Sequence, residues 1–210
     1  MTTAALVFFA VYVAVGFGVR SWIQYRHTGD SGFRGISGRL GTPEWWAGVL
    51  FAVALVAGLL GPVTAVLGLT PLAVLTFPAL QVTGTVLVVI GVAATFVTQM
   101  EMGTNWRIGV DETERTDLVI SGPFAVVRNP IFTAMAVTGL GLALMVPNVV
   151  ALAGAVLLLV ALQLQVRVVE EPYLRAVHGV AYARYAATTG RFLPGVGMMT
   201  AGAPAEERVA

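Results

Sequence analysis

The chain has 210 residues, of which 57% are hydrophobic and only 11% charged, and its net charge is +1. A soluble domain carries about 25% charged residues, so this balance, with a mean hydropathy of +0.84, excludes an ordinary globular fold and points to an integral membrane protein. Cysteine is absent and histidine occurs only at His27 and His178, which removes disulfides, thiolate metal sites and a histidine-rich metal centre.

A bilayer-crossing helix needs roughly 20 apolar residues. Five runs reach or approach that length, which predicts an all-α integral membrane fold with about five transmembrane helices. They are Ala4–Val19, Trp45–Leu69, Leu80–Met100, the short Ile131–Val146, and Val149–Val166. Gly61 and Pro62 lie inside the second run and predict a kink or break there. Only Pro147 and Asn148 separate the last two runs, which predicts a tight helical hairpin. The first run has no basic segment before it and no clear small-residue cleavage site after it, so it does not read as a signal peptide.

All twelve basic residues are arginine. Lysine Schiff-base chemistry and a phosphate-loop lysine are therefore impossible, and no nucleic-acid partner is expected. The arginines fall in three segments, 20–44, 101–130 and the stretch after residue 166, whereas the connections near 70–79 and 147–148 hold none. Five spans put the three arginine-bearing segments on one side. The positive-inside rule makes that side cytoplasmic, with the N-terminus outside and the C-terminus inside.

Polar chemistry is thus expected at the cytoplasmic face, in residues 99–130 and in the stretch after the fifth run. Asn129-Pro130 opens the fourth run. Asn is a preferred N-cap and Pro is favoured at the first helical position, while free N–H groups at a helix start also suit a polar ligand. Glu170 and Glu171 lie within a turn of the end of the fifth run. Adjacent helical residues differ by about 100° in direction, so the two cannot face the same partner. Carboxylates so close to a bilayer are functional or paired, and Arg167 and Arg175 are the nearest ion-pair partners in sequence. Pro172 is expected to bend or end the helix. Tyr182 and Tyr185 share a helix face. Trp45, Trp46 and Trp106 read as interface anchors, and Gly139 and Gly141 as permitting close helix packing. Asp111, Glu112, Glu114 and Asp117 read as a solvated acidic loop.

The order LV-x-x-GPF-x-x-x-RNP-x-F, a helical hairpin, EE, HG-x-x-Y-x-x-Y and RFLP resembles the membrane methyltransferases related to isoprenylcysteine carboxyl methyltransferase. The phospholipid methyltransferases share the same C-terminal core. The resemblance covers about residues 99–194, leaving 1–98 as N-terminal transmembrane helices and 195–210 as a flexible tail. It implies a C-terminal cytoplasmic region that binds S-adenosylmethionine beneath an entrance open to lipid, and a lipid or lipophilic small-molecule acceptor.

Carried over residue by residue, the resemblance implies cofactor contacts at Thr116, Asp117, Leu118, Val119, Phe124, Asn129, Pro130, Ile131, Phe132 and Glu170. Tyr182, Tyr185 and Pro194 would complete a lid. Arg167, and less directly Arg191, would orient the substrate head, with Arg167 counted among the catalytic residues. Glu171 is the nearby candidate base. The chain departs from the isoprenylcysteine enzymes by Asn129 in place of His, and by Phe at 124 and 132 in place of Tyr. Arginine-only basic usage points to a GC-rich bacterial source and the bacterial inner membrane, which disfavours isoprenylcysteine as acceptor. The related sterol reductases, which use NADPH, and a non-catalytic membrane scaffold are the competing classes. A transporter would place polar groups at mid-membrane and show internal repeats; here Gln81, Gln163 and several Thr are the few polar groups in the runs.

Overall fold

The computed structural model describes residues 1–109, 115 and 117–200. Asp111, Glu112, Glu114 and Thr116 lie outside the described residues, as does 201–210. Among the described residues the chain is all-helical, with no strand beyond three isolated bridges. Helix α1 is Thr2–Thr28, α2 is Pro43–Val66 and α3 is Pro78–Glu101. Helix α4 is Pro130–Met145, α5 is Val149–Leu164 and α6 is Glu171–Thr188. A π-helical turn, Gln165–Glu170, joins α5 to α6, making one apolar-to-polar rod, Val149–Thr188.

Four helical stretches are long and apolar enough to cross a membrane: α1, α2, α3 and the rod that begins with α5. The expected fourth span, short already in the sequence, is α4 with 16 residues, about 24 Å at 1.5 Å per residue, against a bilayer core of about 30 Å. Pro130 at its start is buried together with Arg128 and Asn129, and the Pro147 carbonyl just past its end accepts the Leu72 N–H, so α4 still reaches the connection between α2 and α3.

Helix ends follow local chemistry. Thr42 accepts the Trp45 N–H and Pro43 occupies the first turn, which starts α2. Gly29, at φ 75°, ends α1 in the left-handed conformation. Asn148 accepts the Ala151 N–H at 2.9 Å and donates to the Gly61 carbonyl at 2.7 Å, so the expected hairpin is closed by its own cap. Helix α2 runs through Gly61-Pro62 to Val66 without the expected break. Pro62 stands near the helix end and removes only the one N–H that would bond the Gly58 carbonyl. Nor does Pro172 end a helix: it sits in the first turn of α6, and the wider turn before it absorbs the irregularity. A further kink falls at Gly179, at φ 50° and ψ −120°.

Packing is densest between α3 and α4 and between α2 and α5. Both contacts depend on glycine. A Cβ at Gly141 would lie 2.7 Å from the Gly84 carbonyl, and one at Gly61 would lie 2.9 Å from the Ala151 Cα. The close-packing role expected for Gly141 fits this contact. One core cluster gathers Ala5, Val88, Leu142, Met145 and Val146; the next gathers Tyr12, Ala54, Met135, Leu158 and Leu162.

Candidate active site

Residues 101–109 and 117–130 and the loop after α1 meet at one end of the bundle, where Phe33 bridges to Ile108. There the helices part around a cavity of about 440 Å³. Its apolar wall comes from Phe17 of α1, Phe51 and Leu55 of α2, and Ile131, Phe132 and Met135 of α4. Gln99, Met102, Trp106 and Arg107 close it from the end of α3 and the following loop. Gln165 and Glu170 close it from the π turn. A narrower apolar crevice shares Leu55 and Met135 with the cavity and continues between Tyr12, Gly58, Gly139 and Leu158.

Phe124, Asn129, Pro130, Ile131, Phe132 and Glu170 all line this cavity, so six sequence-nominated positions from three elements come together. Asp117, Leu118 and Val119 do not line it; the Asp117 N–H is held by Asn105 Oδ1 at 3.3 Å. Tyr182 and Tyr185 lie behind the wall with rings in edge contact at 6.2 Å. The Tyr185 hydroxyl donates to the Phe124 carbonyl at 2.6 Å, so it supports a cavity residue from behind.

The chain after α6 folds back as a strap over the start of α4. The Arg128 N–H donates to the Gly190 carbonyl and the Asn129 N–H to the Arg191 carbonyl. Asn129 Nδ2 donates to that same Arg191 carbonyl at 3.0 Å, and Thr133 Oγ1 to the Phe192 carbonyl. The Arg191 N–H donates to the Val196 carbonyl and the Met199 N–H to the Ala186 carbonyl. The part of the expected tail up to Met199 is therefore hydrogen-bonded to the body of the protein.

Beneath the strap lies a buried charge network. Glu171, 5% exposed, accepts from Arg128 Nη2 at 3.1 Å and from Arg191 Nε at 2.7 Å, with Arg191 Nη2 on its other oxygen at 3.0 Å. Arg128 also donates to the carbonyls of Ala186, Thr189 and Gly197. The bidentate contact with Glu171 raises the pKa of Arg191 above its ordinary value.

Three nominated side chains lie away from the cavity in this structure. Glu171, expected as a base, is a carboxylate between two guanidiniums and lies outside the cavity wall. Arg191, expected at the substrate, is turned to Glu171. Arg167 is exposed, donates to Gln163 Oε1 at 3.0 Å and does not line the cavity. The acidic pair does diverge as its spacing requires, Glu170 to the cavity and Glu171 to the network.

Trp106 is also no interface anchor. It is 3% exposed, and the Arg20 guanidinium stacks 4.6 Å from its ring centre. Arg20 is itself tied to the Gln99 and Gly103 carbonyls. Gln99 Nε2 donates to the Gly16 carbonyl at 2.9 Å, inside a π-helical stretch of α1.

The N-terminal half of the cavity wall was missed from sequence. One signal was available: Gly29, Gly32, Gly35, Gly38 and Gly41 recur every third residue. All five have φ between 75° and 84°, a conformation that L side chains rarely adopt. This loop carries Phe33, Ile36 and Ser37 to the cavity.

Residues 79–181 match the family model described as phospholipid methyltransferase. No curated protein matches the chain significantly. The match runs from α3 through the hairpin and the π turn into α6, and contains every cavity residue from Gln99 to Glu170.

Proposed function

We propose, for a chain whose residues 79–181 match the family model described as phospholipid methyltransferase, S-adenosylmethionine-dependent methyl transfer to a lipophilic or lipid acceptor. The reaction is assigned to the cytoplasmic face of a bacterial inner membrane, with the N-terminus outside. The observation that carries this reading is the gathering of Asn129, Phe132, Phe124 and Glu170 around one cavity.

The cavity fits such a cofactor. Its volume of about 440 Å³ falls within the roughly 300–1,000 Å³ of sites that enclose drug-sized ligands. Asn129 holds the strap through Nδ2, which leaves Oδ1 as an acceptor for a ligand N–H or O–H. Phe124, Phe132 and Trp106 offer aromatic surface for a nucleoside. S-adenosylmethionine, when bound, supplies a methyl group already activated on a sulfonium, so the protein's task is alignment and exclusion of water.

Alignment alone contributes several kcal/mol to such displacements. Helix α4 and the π turn fix Asn129 and Glu170. The Arg128–Glu171 ion pair, between the neighbours of those two residues, ties the elements together. The apolar wall of Phe17, Phe51, Leu55 and Met135, continued by the crevice, receives the acceptor's hydrocarbon part.

Calorimetry of detergent-purified protein with S-adenosylmethionine, S-adenosylhomocysteine and NADPH tests the reading. Binding of the first two, weakened by Asn129→Ala and by Glu170→Gln with folding intact, is expected. Binding of NADPH alone would place the protein with the reductases, and binding of none would leave a scaffold.

A further inference from the structure

The stretch 99–109 supplies six residues to the cavity wall: Gln99, Met102, Trp106, Arg107, Ile108 and Gly109. It is held from behind by α1, which lies outside the residues matched to the family. Positions 16, 20 and 24 recur every four residues and share one face of α1. Each is hydrogen-bonded to this stretch. The Gly16 carbonyl accepts from Gln99 Nε2 at 2.9 Å. Arg20 Nε donates to the Gln99 carbonyl at 3.3 Å, and its Nη2 to the Gly103 carbonyl. Gln24 Nε2 donates to the Thr104 carbonyl at 2.8 Å. Arg20 itself does not line the cavity.

Arg20 is 1% exposed, and among the described residues no carboxylate pairs with it. A buried charge without compensation is costly. Here the compensation is the wall's own backbone. Gln99 lies in the last turn of α3, where carbonyls lack helical partners and the helix end carries partial negative charge. The Trp106 ring adds its face, with its centre 4.6 Å from the guanidinium carbon. One side chain of α1 thus caps α3 and fixes an aromatic ring of the wall. A guanidinium does both because it is flat and carries a fork of donors, whereas an ammonium would reach the carbonyls and lose the stacking.

We propose that Arg20 is a positioning residue of the site. It does not meet the ligand, and acts on it by holding the 99–109 wall, chiefly through Trp106. This rests on the methyltransferase reading, in which Trp106 offers aromatic surface to a nucleoside. It makes α1 a working part of the cavity, although the family match begins only at residue 79.

The test uses the full chain in detergent, as wild type, Arg20→Met, Arg20→Lys, Trp106→Leu and the double variant Arg20→Met with Trp106→Leu. Amide hydrogen exchange without ligand reads the wall, and calorimetry with S-adenosylhomocysteine reads the site. Arg20→Met should speed exchange across 99–109 by about tenfold or more while the α4–α5 hairpin exchanges as before. It should weaken S-adenosylhomocysteine by roughly 10–100-fold, the range for hydrogen bonds from a charged group. Arg20→Lys should recover the exchange protection more fully than the affinity. The double variant should bind about fivefold or more tighter than the product of the two single losses, as residues in contact do.

Single losses that simply multiply in the double variant overturn the proposal, as does exchange in 99–109 that ignores Arg20→Met. Exchange raised throughout the chain also overturns it, by reducing Arg20 to a residue of the fold. If Arg20→Met does not fold, Arg20→Lys carries the same cycle with Trp106→Leu. Wild-type protein that binds no S-adenosylhomocysteine overturns the methyltransferase reading, while the exchange data still decide whether Arg20 holds the wall. Wild-type binding that Arg20→Met leaves unchanged overturns the positioning role alone.

Discussion

Two asparagines stand immediately before two helices of the same hairpin, and they do different things. Asn148 is fully buried, extended at φ −98° and ψ 168°, and its side chain caps α5. Both polar atoms serve the fold, one on Ala151 and one on Gly61. Asn129 precedes α4 at φ −126° and ψ 59°, and its side chain makes no cap. The following proline disfavours the helical region for it, which suits this backbone. Its amide instead faces the strap and the cavity. The arginine-poor end is thus closed by groups that satisfy one another, whereas the other end leaves hydrogen-bonding capacity toward a space.

The largest effect expected is at the network beneath the strap. Glu171→Ala leaves two guanidiniums without their carboxylate, and breaking a buried ion pair costs about 3–5 kcal/mol. The unfolding midpoint in detergent should fall sharply, more than for any single change at the opposite end. An unchanged midpoint would mean that the strap is not anchored by charge.

Gly141→Leu should come next, because its side chain meets the α3 backbone at Gly84. Overpacking of this kind costs about 1–3 kcal/mol, read as a lower midpoint. Asn148→Ala removes a cap, worth about 1 kcal/mol, and should lower the midpoint while leaving S-adenosylhomocysteine affinity untouched. Asn129→Ala should do the reverse, a small change in midpoint and a loss of affinity; equal behaviour of the two would erase the contrast. The smallest effect is Tyr185→Phe, which removes one hydrogen bond to the Phe124 carbonyl, about 1 kcal/mol.

Much of this was legible in the sequence where one residue type has one physical use. The apolar runs, the Pro147-Asn148 hairpin and the close approach at Gly141 follow from length, turn chemistry and the missing side chain. The divergence of Glu170 and Glu171 follows from helical periodicity. Which of the two faces the cavity does not, because the π turn before them shifts the register and no local pattern in Gln165–Glu170 announces it. Arg191 was nominated for this neighbourhood, but its contact with Glu171 was not foreseen. Its contact with Glu171 spans 20 positions and depends on the strap folding back. The loop of five glycines escaped for a similar reason: spacing marks a chain that turns repeatedly, but only the bridge to Ile108 places it over the cavity.

The π turn also makes the end of the rod a matter of phase. A π turn corresponds to one inserted residue within an α-helix. Excising a single residue from that turn would restore ordinary periodicity and rotate all that follows by about 100°. The carboxylate now clasped by two guanidiniums would swing off them, and its neighbour would leave the cavity. Which of two acids of identical chemistry holds which post is set by one surplus residue in the winding before them.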